Sequence, residues 1–219
     1  MKSIMLSIKP QYVCSILNNT KILEIRKKKP KCKLPCKVYI YCTKGKYCKE
    51  SLYLADDNKY DIDYYVPSDD NFVLNGKVVA EFTLNKIDKI EICDPYIFRN
   101  NKQEDWKYFE KNACLNCEQM MEYIGYGEDH DGWDKKYAIG YAWHIDNLII
   151  YDKPKELSEF EKYGSYKIIT YCYKKQHGLC NKGYGMKGNY VGCEKARIKK
   201  PPQSWCYVEE KGEEVWKPL

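Results

Sequence analysis

Lys21, Glu24 and Arg26 fall within one short stretch, Lys21-Ile22-Leu23-Glu24-Ile25-Arg26. A lysine and an arginine beside one carboxylate suit an anionic or polar nucleotide edge. The guanidinium can grip a phosphate through two parallel bonds, and the carboxylate can accept from an exocyclic amine. The same residue types also make ordinary solvent-facing ion pairs, each worth under about 1 kcal/mol. Sulfur offers a second chemistry, with 12 cysteines in the chain. Cys114-x-x-Cys117 has zinc spacing but no partner pair, and it stands at a helix start, where a thiol pKa falls. Cys32 and Cys36 form a looser pair. Cys172, His177, Cys180 and Cys193 could supply four zinc ligands, at a spacing that is not a standard one. Asp129-His130-Asp131 could hold a divalent cation or simply form a solvated turn. Buried or free thiols are the simpler account of the cysteines, so no metal and no cofactor is expected.

The elements that must position these residues are legible in part. Tyr12, Val13, Ile16 and Leu17 recur at helical spacing behind Pro10, whose missing N–H suits a first helical turn. Asn18-Asn19 can end that helix, because Asn tolerates the left-handed conformation. A strand over 21–26 then sets Ile22, Glu24 and Arg26 on one face and Leu23 and Ile25 on the other. Residues 2–8 read as a first strand. Residues 37–43 read as another, with Val38, Ile40 and Cys42 on one face and Tyr39 and Tyr41 on the other. Residues 45–75 read as a polar, acidic excursion with a short hairpin through 60–66. Asn75-Gly76 is a turn signal, followed by a strand over 77–84 that continues, bent, through 87–92. Helices are expected over 104–113 and 116–124, the second with Asn116 and Gln119 in a capping-box relation. Strands over 137–144 and 145–151 share a bend. A short helix over 156–160 and a last strand over 205–209 complete the reading. The glycine-rich run from Gly183 to Gly192 lacks the strand–loop–helix context of a phosphate-binding loop.

At 219 residues the chain can hold one sizeable core. It carries no apolar run of membrane-spanning length and no apolar leader after Met1, so a cytoplasmic protein without a membrane partner is expected. The net charge is +6 and unevenly placed. Between Lys21 and Lys49, eleven lysines and arginines face Glu24 alone. Clustered lysine is the footprint of a nucleic-acid binder, although a solvated lysine loop has the same composition. The 22 tyrosines offer stacking surfaces if they line a groove.

The pattern Asn19-x-Lys21-x-x-Glu24-x-Arg26, after a helix and a turn, resembles the G-x-K-x-x-E-x-R signature of the ASCH family. Asn stands in place of the usual Gly at 19, and Ile22 where Thr is common. Met5-Leu6-Ser7-Ile8-Lys9-Pro10, Trp143-His144-Ile145, the segment Tyr151–Phe160 and Pro201-Pro202-Gln203-Ser204-Trp205 also resemble phage and bacterial members of that family. The resemblance covers about two-thirds of the chain and implies an α+β fold. That fold is a PUA-like mixed β pseudo-barrel with flanking helices, one domain over 1–219 with an insertion at about 162–200.

The resemblance further implies RNA or nucleotide binding in a basic cleft centred on Lys21, Glu24 and Arg26. Thr43 and Lys44 are expected beside it at a strand end, with Trp143 and His144 flanking it from a later strand. Trp143 has a competing reading as core, and His144 as an ordinary strand residue. Some relatives are amidohydrolases on a modified cytidine. Their lysine matches Lys21, but their threonine nucleophile falls at Glu24 and their second acid near Ala113, with Glu110 close by. Others are ribonucleases, a role for which Lys21, Glu24 and His144 could be cast as acid and base. A protein-interaction module, with a protein partner in place of RNA, is the third alternative.

Overall fold

The computed structural model describes residues 2–44, 50–63, 73–93, 95–127, 137–169 and 190–210, with the backbone alone at 165–169, 190–197 and 210. In chain order the first elements are β1 (Ser3–Ile8), α1 (Pro10–Leu17), β2 (Leu23–Arg26), β3 (Cys36–Cys42), β4 (Ser51–Leu54) and β5 (Tyr60–Asp63). Then come β6 (Val78–Leu84), β7 (Ile87–Cys93), β8 (Tyr96–Arg99), β9 (Lys102–Glu104), α2 (Trp106–Ala113) and α3 (Cys117–Ile124). The last are β10 (Ala138–His144), β11 (Asp146–Lys155), a 3-10 turn (Leu157–Glu159), β12 (Phe160–Ile169), β13 (Tyr190–Arg197) and β14 (Trp205–Glu210).

β1 is apolar at four of its six positions and buried at all six, which suits a strand covered on both faces. Ile4, Leu6 and Ile8 face one core and Met5 faces another. It lies inside a seven-stranded sheet of order β11-β6-β3-β1-β14-β12-β13, parallel to β3 and antiparallel to β14. A parallel neighbour requires a crossover, and here the crossover is α1 with β2. That connection carries Lys21, Glu24 and Arg26 across the end of β1. β2 joins a five-stranded antiparallel sheet, β2-β10-β7-β8-β9. The chain changes sheets at Asn85–Lys86 and again at Ile145. The expected α+β architecture of mixed strands and flanking helices is therefore present, and the pseudo-barrel is open, since neither sheet's strand order closes on itself.

Three clusters hold the layers together. Ile4, Leu6, Val38, Ile40 and Phe82 pack against Val13, Ile16 and Leu17 of α1. Leu23, Ile25, Ile90, Ile92 and Ala142 pack against Phe109 and Met120 of α2 and α3. Met5, Tyr39, Tyr41, Phe160 and Val208 fill the far side of the large sheet, with the Tyr39 and Phe160 rings edge to face at 4.8 Å. β3 thus alternates between cores as its sequence demands.

The helix ends follow local chemistry. Asn19 takes φ 57° after α1, the left-handed stop expected of it. Asp105 caps α2 by accepting from the Lys107 N–H at 2.9 Å. At α3 the Asn116 side chain accepts from the Gln119 N–H at 2.8 Å while the Gln119 side chain accepts from the Asn116 N–H at 3.1 Å. Asn116→Ala removes this cap and should lower stability by about 1 kcal/mol in urea unfolding. A change within error would mean the cap is redundant. α3 also lies close on β10: a Cβ added at Gly140 would meet Ile124 Cδ1 at 2.7 Å.

Several segments differ from their expectation. The hairpin of the acidic excursion begins at Ser51 and pairs β4 with β5; residues 64–66 of the expected hairpin lie outside the described residues. Residues 87–92 form a strand of the second sheet rather than a continuation in the first. The start of the expected helix at 104 belongs to β9, which pairs with β8 around Asn100 and Asn101, at φ 51° and 66°. Two left-handed central residues make the kind of tight turn that joins antiparallel strands. Residues 152–155 extend β11 beyond the expected strand end at 151, and the expected helix over 156–160 is a 3-10 turn at Leu157–Glu159. Within the proposed insertion, β12 and β13 pair at the edge of the large sheet. Residues 170–189, with most of the candidate zinc set and most of the glycine-rich run, lie outside the described residues, as does Asp129-His130-Asp131.

Candidate functional site

The turn after α1 folds Lys21 inward. The Ser15 carbonyl accepts from the Thr20 N–H at 2.9 Å, the Lys21 N–H at 3.0 Å and the Thr20 hydroxyl at 2.9 Å. Held there, the Lys21 ammonium donates to the Ala113 carbonyl at 2.5 Å and lies 3.3 Å from Glu24 Oε2. The neighbouring Ile22 N–H donates to the Asn112 carbonyl at 2.9 Å. Both acceptors are orphan carbonyls at the C-terminal, electronegative end of α2, where a cation is favoured. The ring of Tyr12 stands 5.3 Å from the ammonium.

Arg26 completes the cluster. Its Nη2 is 2.8 Å from Glu24 Oε1 and donates to the Ser7 carbonyl at 2.9 Å, and its Nη1 donates to Ser204 Oγ at 3.1 Å. The Tyr123 hydroxyl of α3 lies close enough to feel the Arg26 charge. One side chain therefore ties β2 to β1 and to the approach of β14. Ser7 fixes the same corner: its hydroxyl donates to the Pro202 carbonyl at 2.7 Å and its N–H to the Ser204 carbonyl at 2.9 Å.

Lys21 is 2% exposed, Glu24 6% and Arg26 6%. The solvent-facing ion pair that spacing alone allows is thus not what forms. Among the described residues two cations share one carboxylate in a buried setting, which leaves an excess of positive charge. Burial pushes the Tyr12 hydroxyl above its ordinary pKa, with Glu24 and Cys114 adding to the shift. Burial likewise raises the Tyr123 hydroxyl, and Arg26 opposes it.

Trp143 pairs directly with Glu24 across the β10–β2 ladder and shares its face. It is fully buried, with its ring 5.8 Å from that of Trp205. Among the described residues two donors in this region have no partner: Trp143 Nε1 and Arg26 Nε. His144 is not beside them. It pairs with Leu23, whose side chain lies in the core under the helices, and its Nε2 meets Asp88 Oδ2 at 2.8 Å. The expectation that His144 flanks Glu24 is corrected on this ground: strand alternation sends adjacent side chains to opposite faces. The acid–base set of Lys21, Glu24 and His144 considered for a ribonuclease is therefore not assembled. Thr43 and Lys44 leave β3 on the other side of Ile8: the Thr43 N–H donates to the Ile8 carbonyl at 2.9 Å, and the stem of Lys44 lies over Gly76.

Asp88 anchors a separate polar group. It also accepts from Asn100 Nδ2 at 2.7 Å and lies 3.2 Å from Lys86 Nζ and 3.6 Å from Arg99 Nη1. Arg99 in turn is 2.6 Å from Glu104 and stacks 4.3 Å from the Tyr108 ring centre.

Among the described residues no group of three histidine, cysteine or acidic side chains could hold a metal ion. Cys114 Sγ donates to the Thr20 carbonyl and Cys117 Sγ to Met121, so the pair is turned to separate partners. Cys32 Sγ lies 3.3 Å from Cys36 Sγ, and burial pushes the Cys36 thiol up to about 12, which keeps it protonated at neutral pH.

Tyr12, Tyr123, Ser7 and Ser204 are site residues that sequence reasoning did not single out. Ser7 and Ser204 stand inside quoted motifs. Tyr123 carries no signal of its own, because its reach to Arg26 depends on how closely α3 approaches β10.

No protein-family model matches the chain, and no curated protein matches it. Among solved structures the chain is similar to the crystal structure of an ASCH protein from Zymomonas mobilis. The TM-score is 0.45 and the identity 14%, over 94% of this chain and 87% of that one. The crystal structures of two point variants of that protein are similar as well. One has a TM-score of 0.45 and 13% identity over 96% and 93% of the two chains; the other has 0.44 and 13% over 95% and 89%. Among the described residues no helix is long and apolar enough to cross a membrane.

Proposed function

We propose that this chain is an ASCH-type, PUA-like domain, with an insertion near 162–200, that binds RNA or a nucleotide beside Lys21, Glu24 and Arg26. The observation that carries the reading is continuity. The buried, positively charged cluster runs directly into the loop after Arg26, where Lys27, Lys28, Lys29, Lys31 and Lys33 are all exposed. The exposed lysines supply the salt-sensitive attraction that any polyanion feels. Lys29 lies 5.9 Å from the Tyr141 ring centre, and Tyr123 is 37% exposed at the mouth of the cluster, so aromatic faces stand within reach of a bound base. Lys21 is committed to Ala113 and Glu24, which favours a positioning role over proton transfer.

Fluorescence anisotropy of single-stranded RNA over a salt series tests this. Exchanging Lys27, Lys28 and Lys29 for Ser leaves the buried cluster untouched. The triple variant should bind at least about tenfold more weakly at low salt, and its log–log salt slope should be shallower by about 2. Equal affinity and slope for the two proteins would remove the basic loop from the interface, and no binding at low salt would sink the reading itself.

A further inference from the structure

Buried N–H groups without acceptors are rare in folded proteins, and each needs an explanation. Here two occur together. Arg26 uses Nη1 and Nη2 on Ser204, Ser7 and Glu24, yet among the described residues its Nε has no partner. Trp143 is fully buried, and its Nε1 has none either. The two side chains lie on one face of the β2–β10 pair. Trp143 sits opposite Glu24, the ion-pair partner of Arg26, and its ring packs on Trp205, the residue after Ser204. Tyr141, opposite Arg26, continues the same face.

Charge says what kind of acceptor is missing. Among the described residues Glu24 is the single carboxylate paired with Lys21 or Arg26. A buried site with two cations and one anion is short of one negative charge, and burying an uncompensated charge is unfavourable. A water molecule would satisfy the donors but not the charge. A group with one negative charge spread over oxygens satisfies both.

We propose that Arg26 Nε and Trp143 Nε1 form an oxyanion subsite that receives one phosphoryl monoanion, an internucleotide linkage or the singly protonated form of a nucleotide's own phosphate. This rests on the RNA or nucleotide reading above and names the part of the ligand this corner takes. Entry is past Tyr123, the exposed aromatic side chain of α3 whose hydroxyl feels the Arg26 charge. Glu24 then serves two roles. It holds the two cations in place and, being anionic, limits the corner to a single further negative charge.

The test is ¹H–¹⁵N NMR of the whole chain, following the Trp143 indole N–H and the Arg26 Nε–H. Uridylyl-uridine, uridine monophosphate, the uncharged methylphosphonate analogue of the dinucleotide and inorganic phosphate are titrated separately. The dinucleotide or the monophosphate should move both resonances together and saturably, and the tighter of the two identifies the source of the phosphoryl group. The methylphosphonate should bind at least about tenfold more weakly, as should the dinucleotide to Trp143→Phe, which keeps the ring but loses the donor. RNA that binds without moving either resonance would overturn the subsite and leave the RNA reading standing. Inorganic phosphate moving both while no RNA binds would support the subsite and overturn the RNA reading. Both resonances unmoved by every probe, with through-space signals to a bound water, would overturn the subsite in favour of a structural water.

Discussion

Glu24→Leu should destabilise the fold by about 3–5 kcal/mol. The variant leaves Lys21 and Arg26 buried without the one carboxylate that pairs with them among the described residues, and neither can move to solvent without giving up other bonds. Lys21 would lose its hold on the end of α2, and Arg26 its links to β1 and to Ser204. The matched control is the triple variant Lys21→Met, Glu24→Leu, Arg26→Met, which removes all three charges. It should recover most of the loss, because much of the penalty lies in the abandoned charges rather than in a favourable triad. Urea unfolding of both variants separates the two. A loss under about 1 kcal/mol for Glu24→Leu would mean the cluster behaves as an ordinary surface ion pair.

Asp88→Asn should lose about 3 kcal/mol. The carboxylate is fully buried and accepts from His144 and Asn100, with Lys86 and Arg99 close by. An amide keeps the shape but turns an N–H₂ toward groups that themselves donate. The pH dependence follows from the same contacts. Burial by itself would raise the Asp88 pKa, but bonds from His144, Asn100 and Lys86 overcome it and hold the group below its ordinary value of 3.8. A carboxylate depressed in the folded state contributes stability that is present above its unfolded value and is lost as pH falls through the folded one. Wild type should therefore lose stability below about pH 4 more steeply than Asp88→Asn. Parallel curves for the two proteins down to the acid transition would show that Asp88 is not the group responsible.

What the sequence made legible was local chemistry. Asn116 and Gln119 announce a helix start because both partners of the box lie within one turn, and Asn18-Asn19 announces a stop for a similar reason. The alternation of Val38, Ile40 and Cys42 with Tyr39 and Tyr41 identifies β3, although it does not say that both faces are covered. The Asn100-Asn101 turn was present in the residues but is less distinctive than Asn-Gly, so β8 and β9 went unread. The burial of Lys21 could not be read at all. It depends on α2, some ninety residues later, ending over the strand that Lys21 begins. His144 failed for a related reason: its face is set by the register of β10 against β2 and β7, and a neighbour in sequence is on the opposite face in space. The alignment of Arg26 with Ser7 and Ser204 likewise brings the two ends of the chain to one corner, a tertiary fact without a local signal.

The location of the binding face is tested most directly by ultraviolet crosslinking of a uridine-rich RNA to the whole protein, followed by mass-spectrometric mapping of the attached peptides. Crosslinks should fall on Tyr123, Tyr12 and the Lys27–Lys29 segment, and should fade as salt is raised. Crosslinks confined to the acidic groove lined by Tyr96, Glu104, Asp105 and Trp106, on a different part of the second sheet, would contradict the account.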